Sequence, residues 1–353
     1  MKKNGHSAPG LEKRLSTALT PLFWKRLLCS AVFVLVMSMS APGAADRIDE
    51  DLLGVSFPEA QKGWVCGRYG AIYHSADGGQ TWRAQDTGTR ATLTSVFFVD
   101  LQNGWAVGDA STIIHSADGG TTWTQQKSPV ANFYLMDVFF VSPEKGWIVT
   151  ERTHIFHTDD GGKTWKVQFS DQDFILKSVS FSDALNGWAV GEYGFAYHTV
   201  DGGGNWQWQA GEFGEDMETG DIKGGNYLFS VTAVDVVKAW AVGIDGHVVT
   251  TRDGGETWQV VVPGIGKVAL TSVTTDRSGK VVAIATKEAL LVSTDEGQTW
   301  TKPSFQPPLG YRWLYRIVRK GDSGFVVVGM EGTIYQNDGR SPSSTWRQIG
   351  TIE

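Results

Sequence analysis

One eight-residue segment governs what this chain can become. Ser116–Trp123, of sequence SADGGTTW, recurs with small changes as Ser75–Trp82, Thr158–Trp165, Thr199–Trp206, Thr251–Trp258 and Ser293–Trp300. A seventh, interrupted copy runs from Gln336 to Trp346. The template is Ser/Thr-x-Asp-x-Gly-x-Thr-Trp, and each position has a physical job. The aspartates (Asp77, Asp118, Asp160, Asp201, Asp253 and Asp295) can accept hydrogen bonds from backbone N–H groups of their own turn. The glycine permits the positive φ of a tight turn. The tryptophans (Trp82, Trp123, Trp165, Trp206, Trp258 and Trp300) give each turn a large apolar surface to bury against a sheet. The segment therefore reads as a turn joining two antiparallel strands.

Spacing sets the architecture. Successive tryptophans from Trp82 to Trp346 lie 41, 42, 41, 52, 42 and 46 residues apart. A period of about 40–45 residues with four short strands is that of a propeller blade. Seven units predict an all-β, seven-bladed β-propeller of four-stranded antiparallel blades, with the turn motif, the Asp-box, between the third strand c and the fourth strand d. In the second unit, Ser95–Val99, Gly104–Gly108, Thr112–Ser116 and Trp123–Gln126 read as strands a to d. A leucine stands at the entry to strand a in every unit: Leu52, Leu93, Leu135, Leu176, Leu228, Leu270 and Leu314. It is read as core. Strand b carries Trp64, Trp105, Trp147 and Trp188 after glycine and Trp240 after alanine, with Val282 and Val326 in the last two units. These are read as filling between blades, in preference to a sugar platform. His74, His115, His157 and His198 share one strand-c position and are read as structural.

The 353 residues divide at about residue 45. Residues 1–26 are polar and basic, and Leu27–Met39 is an uncharged apolar run. Small residues up to Ala45 and an acidic stretch follow. This is the layout of a secretory signal, so residues 1–45 are expected to be a signal peptide and 46–353 the propeller. The run is short for a membrane span, although an uncleaved anchor is the alternative. Cleavage would leave Cys66 as the lone cysteine, a small core residue. The first 45 residues hold six of the 31 basic and one of the 38 acidic residues, so the remainder carries a net charge of −12. That argues against nucleic acid as a partner.

Motifs for chemistry are sparse. There is no nucleophile elbow or phosphate loop, and no cofactor, metal or catalytic set is expected. Because strands alternate in direction, a–b and c–d turns share one face, and b–c turns and d–a connections share the other. The second face collects Arg68, Asp109, Glu151, Glu192, Asp245 and Glu331 at matching turns. It also takes an acidic insertion with Glu212, Glu215, Asp216 and Glu218, and a Pro-rich connection, residues 303–313, with Tyr311 and Trp313. Loops on a rigid scaffold are where binding lives, so these residues are the partner-binding candidates and the face is expected to be acidic.

The run TSVFFVDLQNGWAVGDASTIIHSADGGTTW (residues 94–123) resembles the photosystem II stability and assembly factor family. The similarity extends over about 300 residues, the whole of the expected propeller. The resemblance implies a seven-bladed propeller of the lumen or periplasm, not an enzyme, that binds membrane-protein subunits and assists their assembly, here as a monomer. The acidic insertion departs from the basic, Arg-rich patch expected of photosynthetic members, so a related role on another envelope complex is equally compatible. Asp-boxes also occur in sialidases and other propeller glycoside hydrolases. A secreted glycosidase or carbohydrate-binding propeller is therefore the alternative, with Arg90, Arg312 and Arg316 as weak candidates for a sialidase arginine triad.

Overall fold

The computed structural model describes residues 47–215, 222–322, 324–337 and 343–352. The expected signal peptide, residues 1–45, lies outside them. The described chain is a ring of seven antiparallel blades. The innermost strands, a, are Leu52–Ser56, Leu93–Phe98, Leu135–Phe140, Leu176–Phe181, Leu228–Ala233, Leu270–Thr275 and Leu314–Lys320. Strands b, c and d follow outward. In blade 2 they are Gly104–Gly108, Ile113–Ser116 and Thr124–Gln125. All seven leucines that open strand a are buried.

An interlock between aromatics and glycines joins blades 1 to 4. Trp64, Trp105 and Trp147 are fully buried and stack on Phe98, Phe140 and Phe181 of the next blade, with centroids 3.6, 3.5 and 3.6 Å apart. Each phenylalanine also lies over the glycine of its own strand b. A Cβ on Gly104 would meet the Phe98 ring at 2.3 Å, and one on Gly146 would meet Phe140 at 2.5 Å. Blade 5 holds the converse pairing. Its strand a ends in Ala233 rather than phenylalanine, and the facing position is Ala239. Such ring pairs contribute about 0.5–1.5 kcal/mol each beyond the area they bury. The strand-c histidines complete the stacks: His115 lies 4.6 Å from Trp105 and His198 4.3 Å from Trp188. Burial pushes both imidazoles below their ordinary pKa.

The register corrects one sequence assignment. Val282 pairs with Ser293 as Gly63 pairs with Ser75, so Ala283, not Val282, takes the tryptophan position in blade 6. Val326 does occupy that position in blade 7, facing Gln336. Blade 6 is also shortened at its outer edge, where strand d is reduced to a bridge between Thr301 and Val292. The cause is local. Gln85 and Gln126, three residues after their turn tryptophans, donate N–H to Ile72 and Ile113 of strand c. The residue at that position in blade 6 is Pro303, which has no N–H to give.

The turn motif works as its composition requires. Asp118 Oδ1 accepts from Thr122 N at 2.8 Å, Asp118 Oδ2 accepts from Thr122 Oγ1 at 2.7 Å, and Ser116 Oγ donates to Asp118 at 2.9 Å. Gly120 sits at φ 85° and donates its N–H to Ser116 Oγ. The ring closes through the end of the chain. Thr351–Ile352 lies parallel to strand d of blade 1, pairing with Thr81 and Trp82. Phe305–Gln306 does the same on blade 7, pairing with Trp346 and Arg347.

Candidate partner face

The b–c turns are built alike. In six of them a non-glycine residue sits in the left-handed region: Tyr69, Ala110, Arg152, Tyr193, Asp245 and Glu331, at φ between 52° and 61°. Such a conformation is costly for an L-residue, and strained positions gather at functional surfaces. Here they recur blade after blade on one face.

The turn carboxylates divide into two groups. Glu151 Oε1 accepts from Tyr134 N at 3.2 Å, and Glu192 Oε2 accepts from Ile175 N at 3.0 Å. Both hold the entry to strand a of their own blades, so part of each is spent on the fold. Asp245 and Glu331 meet cations, as does Asp51 at the entry to blade 1. Arg68 Nε lies 2.9 Å from Asp51, Arg312 3.3 Å from Glu331 and Lys267 3.7 Å from Asp245. Asp51 also accepts from Glu331 N, tying blade 7 to blade 1. Asp109 opens the corresponding turn of blade 2. Among the described residues the face is thus a mosaic of opposed charges.

The insertion forms a two-stranded hairpin, Phe213–Glu215 with Ile222–Gly224. Glu212 leads into it and is exposed. Asp216 and Glu218 lie outside the described residues. The base of the hairpin rests on rings: Phe213 lies 4.9 Å from Tyr193 and 5.1 Å from Phe174, and Tyr193 lies 5.0 Å from Tyr227. Contact with Tyr193, with burial adding to it, pushes the Tyr227 hydroxyl pKa up to about 12. The Pro-rich connection is anchored by Leu309, which is buried, and by Tyr335 Oη donating to Pro307 O at 2.8 Å. Beyond the anchor, Tyr311 is 98% exposed, and Lys287 Nζ sits 3.7 Å above the half-exposed Trp313 ring.

Most of the sequence-based candidates are charged, with Tyr311 and Trp313 the exceptions, but exposed apolar surface marks the face more clearly. Tyr69, Tyr134, Phe213, Tyr311 and Trp313 are exposed, and all stand on b–c turns or d–a connections. Among the described residues, the one other exposed aromatic is Trp208 on an outer strand. The a–b and c–d face exposes aliphatics instead, chiefly Leu185, Val200, Val236 and Val237. Tyr69, Tyr134 and Phe213 were legible as aromatics in loops, but only their exposure separates them from core rings.

The hub holds a second polar site. Arg316 Nη2 reaches from blade 7 to Asp137 of blade 3, at 3.0 and 3.1 Å from its two oxygens. Ser95 Oγ and Ser178 Oγ also donate to Asp137. Arg316 and Arg312 thus serve different partners, and Arg90 is exposed. Above the pair lies a cavity of about 460 Å³. Among the described residues no Asp or Glu lines it, and no group of three His, Cys, Asp or Glu side chains is placed to hold a metal.

These features define a seven-bladed propeller with a rigid, motif-built wheel and an irregular aromatic face. Over just under half of its length the chain is similar to photosystem II assembly factor-like propellers. The family described as Photosynthesis system II assembly factor YCF48 matches it twice, over residues 44–129 and 125–210. Among solved structures, YCF48 bound to D1 peptide is 21% identical, covering 83% of this chain and 93% of that one with a TM-score of 0.66. YCF48 from Cyanidioschyzon merolae is 20% identical, covering 83% and 98%, with a TM-score of 0.65. A GH74 xyloglucanase from Xanthomonas campestris shares the blade architecture at 12% identity and a TM-score of 0.67. The alignment covers 86% of this chain but only 55% of that enzyme. A comparison with curated proteins gives no match.

Proposed function

We propose that this protein is a non-catalytic, exported scaffold that binds a membrane-protein subunit and assists its assembly or stability. The observation that carries the reading is the gathering of Tyr69, Tyr134, Phe213, Tyr311 and Trp313 on one face of a chain with this family match. Aromatic side chains dominate the cores of protein–protein interfaces. The relative bound to D1 peptide supports a membrane-protein subunit as the class of partner. The mosaic of opposed charges around the rings supplies register for a polar loop. We place Arg68, Asp109, Glu151, Glu192, Glu212, Glu215, Asp216, Glu218, Asp245, Tyr311, Trp313 and Glu331 at or around this interface. Export to the periplasm or a lumen, as the leader suggests, would put the face beside such a partner, with the protein acting as a monomer. A carbohydrate-active reading has less support, because glycoside hydrolysis uses two carboxylates flanking the bond and the hub cavity lining has none. The test is affinity capture from membranes of the source organism. The wild type should retain one integral protein, and a Tyr69→Ala/Tyr311→Ala/Trp313→Ala variant should lose it. Equal capture by both would remove the face from the account.

A further inference from the structure

The hub cavity has the make-up of a ligand site, and it lies away from the partner face. Its lining runs through the C-terminal halves of strands a to Pro58 and Gly321, so it sits on the side of the a–b turns. One wall is aromatic: Phe97 and Phe139, their centroids 4.8 Å apart, both line it. The opposite wall carries the small polar side chains Thr232 and Thr274. Arg316 contributes a guanidinium.

The bonding of that guanidinium is unbalanced. Only Nη2 contacts Asp137, and among the described residues Nε and Nη1 have no hydrogen-bond partner. Asp137, by contrast, is saturated. Oδ1 accepts from Ser95 Oγ at 2.8 Å and Val138 N at 3.1 Å, and Oδ2 accepts from Ser178 Oγ at 2.9 Å and Val179 N at 3.3 Å. Arg316 is thus paired through one nitrogen only, and its other N–H groups are left to further acceptors. Arg319 lines the same cavity, with Asp276 and Asp322 close enough to offset its charge. A concave space of a few hundred Å³ with convergent polar groups and an aromatic wall can hold a small molecule.

We propose that this cavity binds a carboxylate carried on an aromatic or branched apolar body. The carboxylate would accept from the N–H groups of Arg316 that Asp137 leaves free, and the body would lie against Phe97 and Phe139. The same chemistry could come from a free organic acid or from the C-terminal residue of a peptide.

Calorimetric titration of the full-length protein tests this with phenylacetate and with phenylacetamide, its uncharged counterpart. The acid should bind at least tenfold more tightly than the amide. Thr232→Trp, which fills the cavity without touching the Arg316–Asp137 pair, should abolish binding. The paired variant Asp137→Asn/Arg316→Met should lose the preference for the acid. A tripeptide ending in phenylalanine, tested as free acid and as C-terminal amide, separates the sources. Binding of the free peptide acid as tight as phenylacetate extends the site to chain termini, and much weaker binding confines it to small acids. No binding of phenylacetate at millimolar concentration, equal binding of acid and amide, or unchanged binding to Thr232→Trp would overturn the proposal.

Discussion

Arg316 and Asp137 stand on opposite sides of the ring, in blades 7 and 3, and meet in the hub through one guanidinium nitrogen. Asp137 is fully buried, and Arg316 keeps about a quarter of its side chain exposed. Each blade offers one residue two places after its entry leucine: Gly54, Ser95, Asp137, Ser178, Ser230, Ser272 and Arg316. Small or hydroxylated residues fill five of these places. The two charged exceptions are of opposite sign and pair with each other.

This pair should be a measurable determinant of stability. Removing one partner from a buried ion pair strands the other, at about 3–5 kcal/mol. Arg316→Met should fall at the lower end, about 3 kcal/mol, because Asp137 keeps four other donors. The double variant Asp137→Asn/Arg316→Met should recover most of that loss. Urea denaturation of the two variants, with wild type as reference, gives the difference.

Glu296 makes a different prediction, one that depends on pH. It occupies a glycine position of the sixth turn motif at φ 58°. Its carboxylate lies 2.8 Å from Lys238 Nζ and 2.7 Å from Arg252 Nη1. Hydrogen bonds from Lys238 and then Arg252 hold its pKa down to about 2, against an ordinary value of 4.5. A pKa lowered by folding contributes stability that is present above the unfolded value and lost as pH falls through the folded one. Glu296→Gly removes that contribution and relieves the left-handed backbone. The group is exposed by more than a third, so the ion pairs contribute under about 1 kcal/mol. The variant should therefore match wild type near pH 7 and become the more stable of the two between about pH 4.5 and 2. Thermal melts across that range check it.

The closing strand gives a third. Thr351 N donates to Gln80 O at 3.2 Å, and Ile349 N donates to Ile334 O at 3.0 Å. The Ile349 side chain reaches Gly79, where an added Cβ would come within 2.6 Å of it. Deleting residues 349–353 removes these contacts and uncovers Trp82, at an expected cost of about 2–4 kcal/mol. Hydrogen exchange should quicken first in the outer strand of blade 1, Thr81–Ala84. Exchange quickening uniformly around the ring would mean that closure is not local.

Much of this was legible because it repeats. A leucine or a tryptophan seen seven times in register, with an Asp-box between strands in six units, needs no coordinates to be assigned to a wheel. The Phe98–Gly104 pairing was legible in principle, since blade 5 exchanges both partners together as Ala233 and Ala239. Val282 was misassigned because blade 6 has neither glycine nor tryptophan to fix its register. The hub pair was hidden for another reason. Asp137 and Arg316 are 179 residues apart, and nothing in either unit points to the other. Glu151 and Glu192 read as surface charges, yet their carboxylates hold backbone N–H groups, a role that depends on turn geometry rather than residue type. The candidate face was chosen by strand direction, with Tyr311 and Trp313 as its aromatics, while Tyr69, Tyr134 and Phe213 joined them only on exposure.

Photo-crosslinking in the source organism tests the central claim most directly. A benzophenone side chain would replace Tyr69, Tyr134 or Tyr311 on one face and Leu185, Val200 or Val236 on the other. The account predicts adducts with a single integral membrane protein from the first three positions and none from the last three. Adducts confined to the Leu185, Val200 and Val236 positions, or absent from all six, would contradict it.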